Sequence, residues 1–242
     1  MYGWRARLGL LVPSKLVALE PEIIEMTPEG VSCHFHRFAF TGGTENEKVV
    51  ERLKRAETFI ADAAELITHV RPSVVAMTGT GVSFIGGYGY DQMLIEKMKE
   101  RNGDLPTTTT TTAVIDAIRV MGIKKVSMAM PYLEKVAKSA IQFVQDSGIE
   151  VVEAEWLNLG KYEIPELSKE ALYHQARRVD QPESDALLIL CTDLHTIHLI
   201  EKLENDLQKP VITSNQATMW KMLRMAGVRD QIAGYGQLLN EH

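Results

Sequence analysis

Two short stretches of this 242-residue chain carry side chains able to do chemistry. In one, Cys191-Thr192-Asp193 follows the uninterrupted apolar run 186–190, which sits behind the turn-forming Gln181-Pro182-Glu183-Ser184 and reads as a buried strand of a parallel sheet. A thiol at the carboxyl end of such a strand lies where open α/β folds bind ligands. It can give a proton to carbon, take one away, or add to an electrophilic carbon as thiolate. A free cysteine is also at home as an inert small hydrophobe, and position alone leaves both readings open. In the other stretch, the strand 73–77 runs into Thr78-Gly79-Thr80-Gly81-Val82-Ser83. A glycine-rich turn there lets the backbone approach a ligand and aims amide N–H groups at an anion.

The elements that must position these loops alternate strand and helix. The run 8–12 is a strand stopped by Pro13-Ser14, and 15–26 is a helix interrupted at Pro21. Residues 31–35 alternate as a half-covered strand does, which turns Cys33 toward the core with Val31 and Phe35 as a structural residue. The segment 41–44 reads as a loop, and Thr44 with Glu47 as the capping box of one long amphipathic helix. Its stripe is Val49, Leu53, Ala56, Ile60, Ala63, Ile67 and Val70, ended by Arg71-Pro72. Further helices are predicted from 93 to the Asn102-Gly103 stop and at 114–121, 133–147, 169–179, 194–207 and 216–226. Further strands are predicted at 107–112, passing into an N-cap, and at 125–130, 150–154 and 210–213. The tail from Gly234 reads as a loop or packing segment. The pattern is α/β with parallel sheets.

The two halves echo each other. Leu11-Val12-Pro13-Ser14 matches Ala129-Met130-Pro131-Tyr132, and residues 76–82 match 188–194 with Gly79 opposite Cys191. Leu105-Pro106-Thr107-Thr108-Thr109 matches Lys209-Pro210-Val211-Ile212-Thr213. Three matches in one order, all at strand ends, predict two similar domains, each with a four-stranded parallel sheet flanked by helices. A pseudo-twofold axis relates them, with the site in the cleft between. Residues 1–112 with 218–242 are expected to form the first domain and 113–217 the second. Gly79 and Cys191 then face one bound molecule from opposite sides, with Pro13 and Tyr132 as a second pair. Racemisation at carbon needs a proton donor or acceptor on each face, and this chain is equipped on one face only.

Composition narrows the field. With 45% hydrophobic and 24% charged residues the chain is an ordinary globular protein, and a net charge of −6 without a basic block makes nucleic acid and anionic membranes poor partners. Two cysteines exclude a disulfide scaffold and multi-cysteine metal sites. No signal-peptide pattern or membrane-length apolar run is read, so the expected location is cytoplasmic. Gly79-x-Gly81 lacks the third glycine of a dinucleotide loop, Phe84 standing there. His195 and His198 share a helical face without a third ligand. Asn215 reads as a helix cap, and Trp156 and Trp220 as core.

At these residues the sequence resembles the aspartate/glutamate racemase superfamily, most closely its arylmalonate decarboxylases, with the maleate cis-trans isomerases as near relatives. Residues 77–84 resemble the decarboxylase loop in which glycine, here Gly79, replaces the first cysteine of the racemases. Cys191 matches the single catalytic cysteine, Tyr132 a tyrosine that donates to the substrate carboxylate, and Gly234-Tyr235-Gly236 the terminal motif. Gly81 stands where decarboxylases have serine, and Thr192-Asp193 where they have glycines. The resemblance implies cofactor-free decarboxylation of a substituted malonate. Pro13, Gly79, Thr80, Gly81, Tyr132 and Thr192 would bind the substrate, and Cys191 would protonate the enediolate from one face. Its partners would be a small dicarboxylate and, in an oligomer, further copies of the chain. The alternatives are a maleate-type isomerase using Cys191 as nucleophile, an amino-acid racemase, and a non-catalytic dicarboxylate binder.

Overall fold

The computed structural model describes residues 2–40, 48–103 and 105–242; the 41–44 loop and the capping box of Thr44 and Glu47 lie outside them. Among the described residues, eight strands form two sheets of the same design. β1 (Ala6–Pro13), β2 (Val31–Phe38), β3 (Val74–Met77) and β4 (Thr107–Thr109) run in the order β2-β1-β3-β4. β5 (Lys125–Met130), β6 (Glu150–Trp156), β7 (Ala186–Ile189) and β8 (Val211–Thr213) run in the order β6-β5-β7-β8. Every pair is parallel. In each sheet the chain leaves the first strand to one side and returns on the other, so the carboxyl ends of β1 and β3, and of β5 and β7, flank a switch point where ligands bind. Pro13 and Gly79 follow the first pair; Tyr132 and Cys191 follow the second. The repeat in the sequence is therefore a repeat of switch points.

The helices are α1 (Leu19–Glu25), α2 (Val49–Ala56), α3 (Ile60–Ile67), α4 (Thr80–Phe84), α5 (Tyr90–Asn102), α6 (Thr110–Val120), α7 (Glu134–Asp146), α8 (Lys169–Val179), α9 (Ile200–Leu207), α10 (Ser214–Met225) and α11 (Gln237–Glu241). The two short strands β4 and β8 each end in a threonine N-cap: Thr109 accepts from the Thr112 N–H, and Thr213 from that of Gln216. The helices they start, α6 and α10, pack together between the sheets, where the Thr218 hydroxyl donates to Thr110 at 3.0 Å.

Several boundaries differ from the pattern. The long helix expected over 49–70 is broken into α2 and α3 by a 3₁₀ turn at Glu57–Phe59. Pro21 sits in the first turn of α1, where its missing N–H costs nothing, and interrupts no helix. Asn215 lies inside the first turn of α10 and is no cap, because Thr213 holds that place with a capping box to Gln216. The tail after Gly236 is helical. Trp220 is buried, while Trp156 and Cys33 are half-buried against the core.

The largest departures have one cause. Helix is absent from 15–18 and from 194–199 because polar groups in these segments bond to each other's half of the molecule. Asp193, fully buried, accepts from the Val17 N–H at 2.6 Å, the Ala18 N–H at 3.2 Å and Lys15 Nζ at 2.8 Å. Glu22, on α1, accepts from the Thr196 and Ile197 N–H groups, the Thr196 hydroxyl and Asn215 Nδ2. Burial pushes the Glu22 carboxyl up, against the pull of these donors. Glu22→Ala strands all of them in a dry interior. It should cost about 3 kcal/mol of stability, read as a lower urea midpoint at an unchanged slope.

Candidate active site

The seven residues singled out by sequence, Pro13, Gly79, Thr80, Gly81, Tyr132, Cys191 and Thr192, line one pocket between the switch points. Gly79 has φ +98° and a Cβ there would stand 2.9 Å from Pro13 Cγ, so the loop needs a residue without a side chain to pass the proline so closely. A Cβ on Gly81 would meet only the end of Leu53 at 3.2 Å. Thr80 and Gly81 open the short helix α4, where first-turn N–H groups have no helical carbonyl to bond.

Ser214, the first residue of α10, joins the two loops. Its Oγ accepts from the Thr80 hydroxyl at 2.9 Å and from the Cys191 N–H at 3.1 Å. Asn215 Nδ2 donates to the Thr192 carbonyl at 3.2 Å as well as to Glu22. Sequence reasoning missed Ser214 and the role of Asn215; the threonine cap and the alignment of 105–109 with 209–213 placed them beside the site but gave no contact. It also missed Lys15, Arg52 and Lys161, three cations lining the pocket from segments without a motif. The remaining wall is apolar, with Leu53, Val136 and Ile164 among its residues.

Cys191 is 6% exposed, and its Sγ accepts the Asp193 N–H at 3.4 Å. Burial pushes the thiol up to about 11, opposed by Lys15 and reinforced by the Asp193 carboxylate. At neutral pH it is therefore a protonated thiol. Tyr132 is held edge-on by Phe84, ring centroids 5.8 Å apart, and its buried hydroxyl lies close enough to Thr80 and Cys191 to interact with both, but makes no hydrogen bond of good geometry with either. Burial and the neighbouring thiol keep the phenol well above its ordinary range, so it is a donor in search of an acceptor. His195 is turned away: its Nε2 donates to the Pro165 carbonyl at 3.1 Å. His198 pairs with Glu25. No group of three metal-ligating side chains occurs among the described residues, and none of their helices is long and apolar enough to cross a membrane.

A sequence model of the arylmalonate decarboxylase family matches residues 8–239. The chain belongs to this family. The arylmalonate decarboxylase of Bordetella bronchiseptica is 29% identical over 186 residues, covering 75% of this chain and 77% of that protein. The maleate isomerase of Alcaligenes faecalis is 25% identical over 244 residues, with 97% and 96% covered. The crystal structure of a maleate isomerase from Pseudomonas putida S16 shares the fold with a TM-score of 0.91 at 24% identity, covering 98% of both chains. Members of the arylmalonate decarboxylase family and these isomerases thus share one two-sheet architecture, and the chain's similarity to both named activities is nearly even.

The unpartnered Tyr132 hydroxyl yields a test of ligand binding apart from catalysis. Tyr132→Phe removes a buried hydroxyl that makes no well-formed hydrogen bond in the ligand-free protein. Stability should hold or rise by up to about 1 kcal/mol, while dicarboxylate affinity by calorimetry falls about tenfold.

Proposed function

We propose that the protein decarboxylates a substituted malonate without a cofactor and protonates the product carbon from one face. The observation that carries this reading is the pairing of a single protonated thiol, Cys191, with Gly79, whose backbone approaches Pro13 too closely for a second side chain to enter freely. One substrate carboxylate would take the Tyr132 phenol, the Thr80 hydroxyl released from Ser214, and N–H groups of Gly81 and Thr192. These donors gain most as charge builds on the enediolate. The other carboxylate would lie against the apolar wall of Leu53, Val136 and Ile164. There the C–C bond breaks, its electron pair passes into the enediolate, and CO2 leaves without charge. The Cys191 S–H proton then goes to the carbon, leaving a thiolate that regains a proton from solvent.

A specific feature favours a second reading. Lys15, Arg52 and Lys161 at the pocket wall suit a substrate that keeps both carboxylates, as maleate does on isomerisation. Cys191 would then add as thiolate, permit rotation about the former double bond, and leave. The raised thiol and the glycine, not a second cysteine, at position 79 count against it.

The readings separate in D2O. Aryl- and alkylmalonates and maleate are incubated with the protein and followed by NMR. Decarboxylation gives an optically active, monodeuterated monoacid, and Cys191→Ala lowers its rate at least about a thousandfold. Fumarate from maleate without CO2 release overturns the decarboxylase reading in favour of the isomerase.

A further inference from the structure

Asp193, two residues beyond the candidate thiol, has a definite place in the structure. Its Oδ1 is occupied by the N–H groups of Val17 and Ala18, and its Oδ2 holds Lys15 Nζ at 2.8 Å. Its own N–H points at Cys191 Sγ from 3.4 Å. The carboxylate is fully buried, and the lysine side chain only 15% exposed. Lys15 lines the same pocket as Cys191. One residue thus contacts both the thiol and a cation that lines the same pocket.

This arrangement answers a difficulty in the chemistry. A neutral thiol is cheap to bury, but giving up its proton leaves a thiolate in a site largely shut off from water, where an uncompensated charge costs several kcal/mol. We propose that Lys15, held by the positioning residue Asp193, is the counter-charge to the thiolate left on Cys191 when its proton goes to carbon. The inference rests on the proposed decarboxylation for the origin of the thiolate, but the charge pairing itself is a property of the ligand-free protein. The ionisable groups around the thiol are Lys15 from the β1–α1 loop, Tyr132 from the end of β5, and Asp193 on its own loop; Arg52 and Lys161 line the pocket as well. Tyr132 stays neutral and Asp193 opposes the thiolate, so among the three nearest groups Lys15 supplies the positive charge.

The test reads thiolate formation directly. The protein is alkylated at pH 8.5 with iodoacetamide, an uncharged reagent that the lysine does not recruit, and modification at Cys191 is separated from Cys33 by peptide mass mapping. Lys15→Met should slow alkylation of Cys191 about tenfold, Lys15→Arg should keep it within about twofold, and Asp193→Asn, which retains an acceptor for Val17 and Ala18, should accelerate it. Mere loosening of the loops would expose the thiol and accelerate both Lys15→Met and Asp193→Asn, so opposite signs identify charge as the cause. An unchanged or faster rate in Lys15→Met overturns the pairing, even in a protein that decarboxylates malonates. The expected rates in a protein that leaves malonates untouched would uphold the pairing and retire the decarboxylase reading alone.

Discussion

The structure depends on two buried carboxylates that bind backbone across the interface between its halves. Asp193 and Glu22 together accept N–H groups of Val17, Ala18, Thr196 and Ile197, each from the other half of the molecule. A carboxylate is costly to bury, and such a site is tolerable only when its oxygens are filled by donors. The segments around them therefore give up helix, and the irregular backbone that results brings Lys15, Cys191 and Thr192 to the pocket. Breaking one of these carboxylate sites would disturb fold and site together.

Around this framework the pocket combines dry walls with a few unspent donors. A wet site would let Cys191 ionise more readily and would satisfy Tyr132 with solvent. Here burial keeps the thiol protonated and the phenol waiting. Ser214 holds the Thr80 hydroxyl in reserve, so ligand entry exchanges one hydrogen bond for another. That exchange limits the gain in affinity but fixes the loops before the substrate arrives.

Much of this was legible in the sequence, for a physical reason. Buried strands are unbroken apolar runs, and loops at switch points need residues with unusual freedom, so the strands and the Gly79–Cys191 pairing stand out, while the seven residues that line the pocket were reached with the help of the family resemblance. Helix limits at 15–18 and 194–199 were not legible, because the competing partners lie some 175 positions away and no local pattern announces them. The same applies to Asn215, which looks like a cap by type and place yet serves Glu22 and Thr192. The cations Lys15, Arg52 and Lys161 carried no periodic or motif signal; only the fold gathers them.

The ion pair of Lys15 and Asp193 also bears on how such proteins diverge. Glycine at 193 asks nothing of position 15, whereas aspartate there, with a neutral residue at 15, would leave a bare charge in the interior. Lysine acquired first, near the surface and still able to reach water, does little harm. Losing the lysine alone is therefore costlier than losing the aspartate alone. The two positions constrain each other, and a change at either is tolerated best with a matching change at the other.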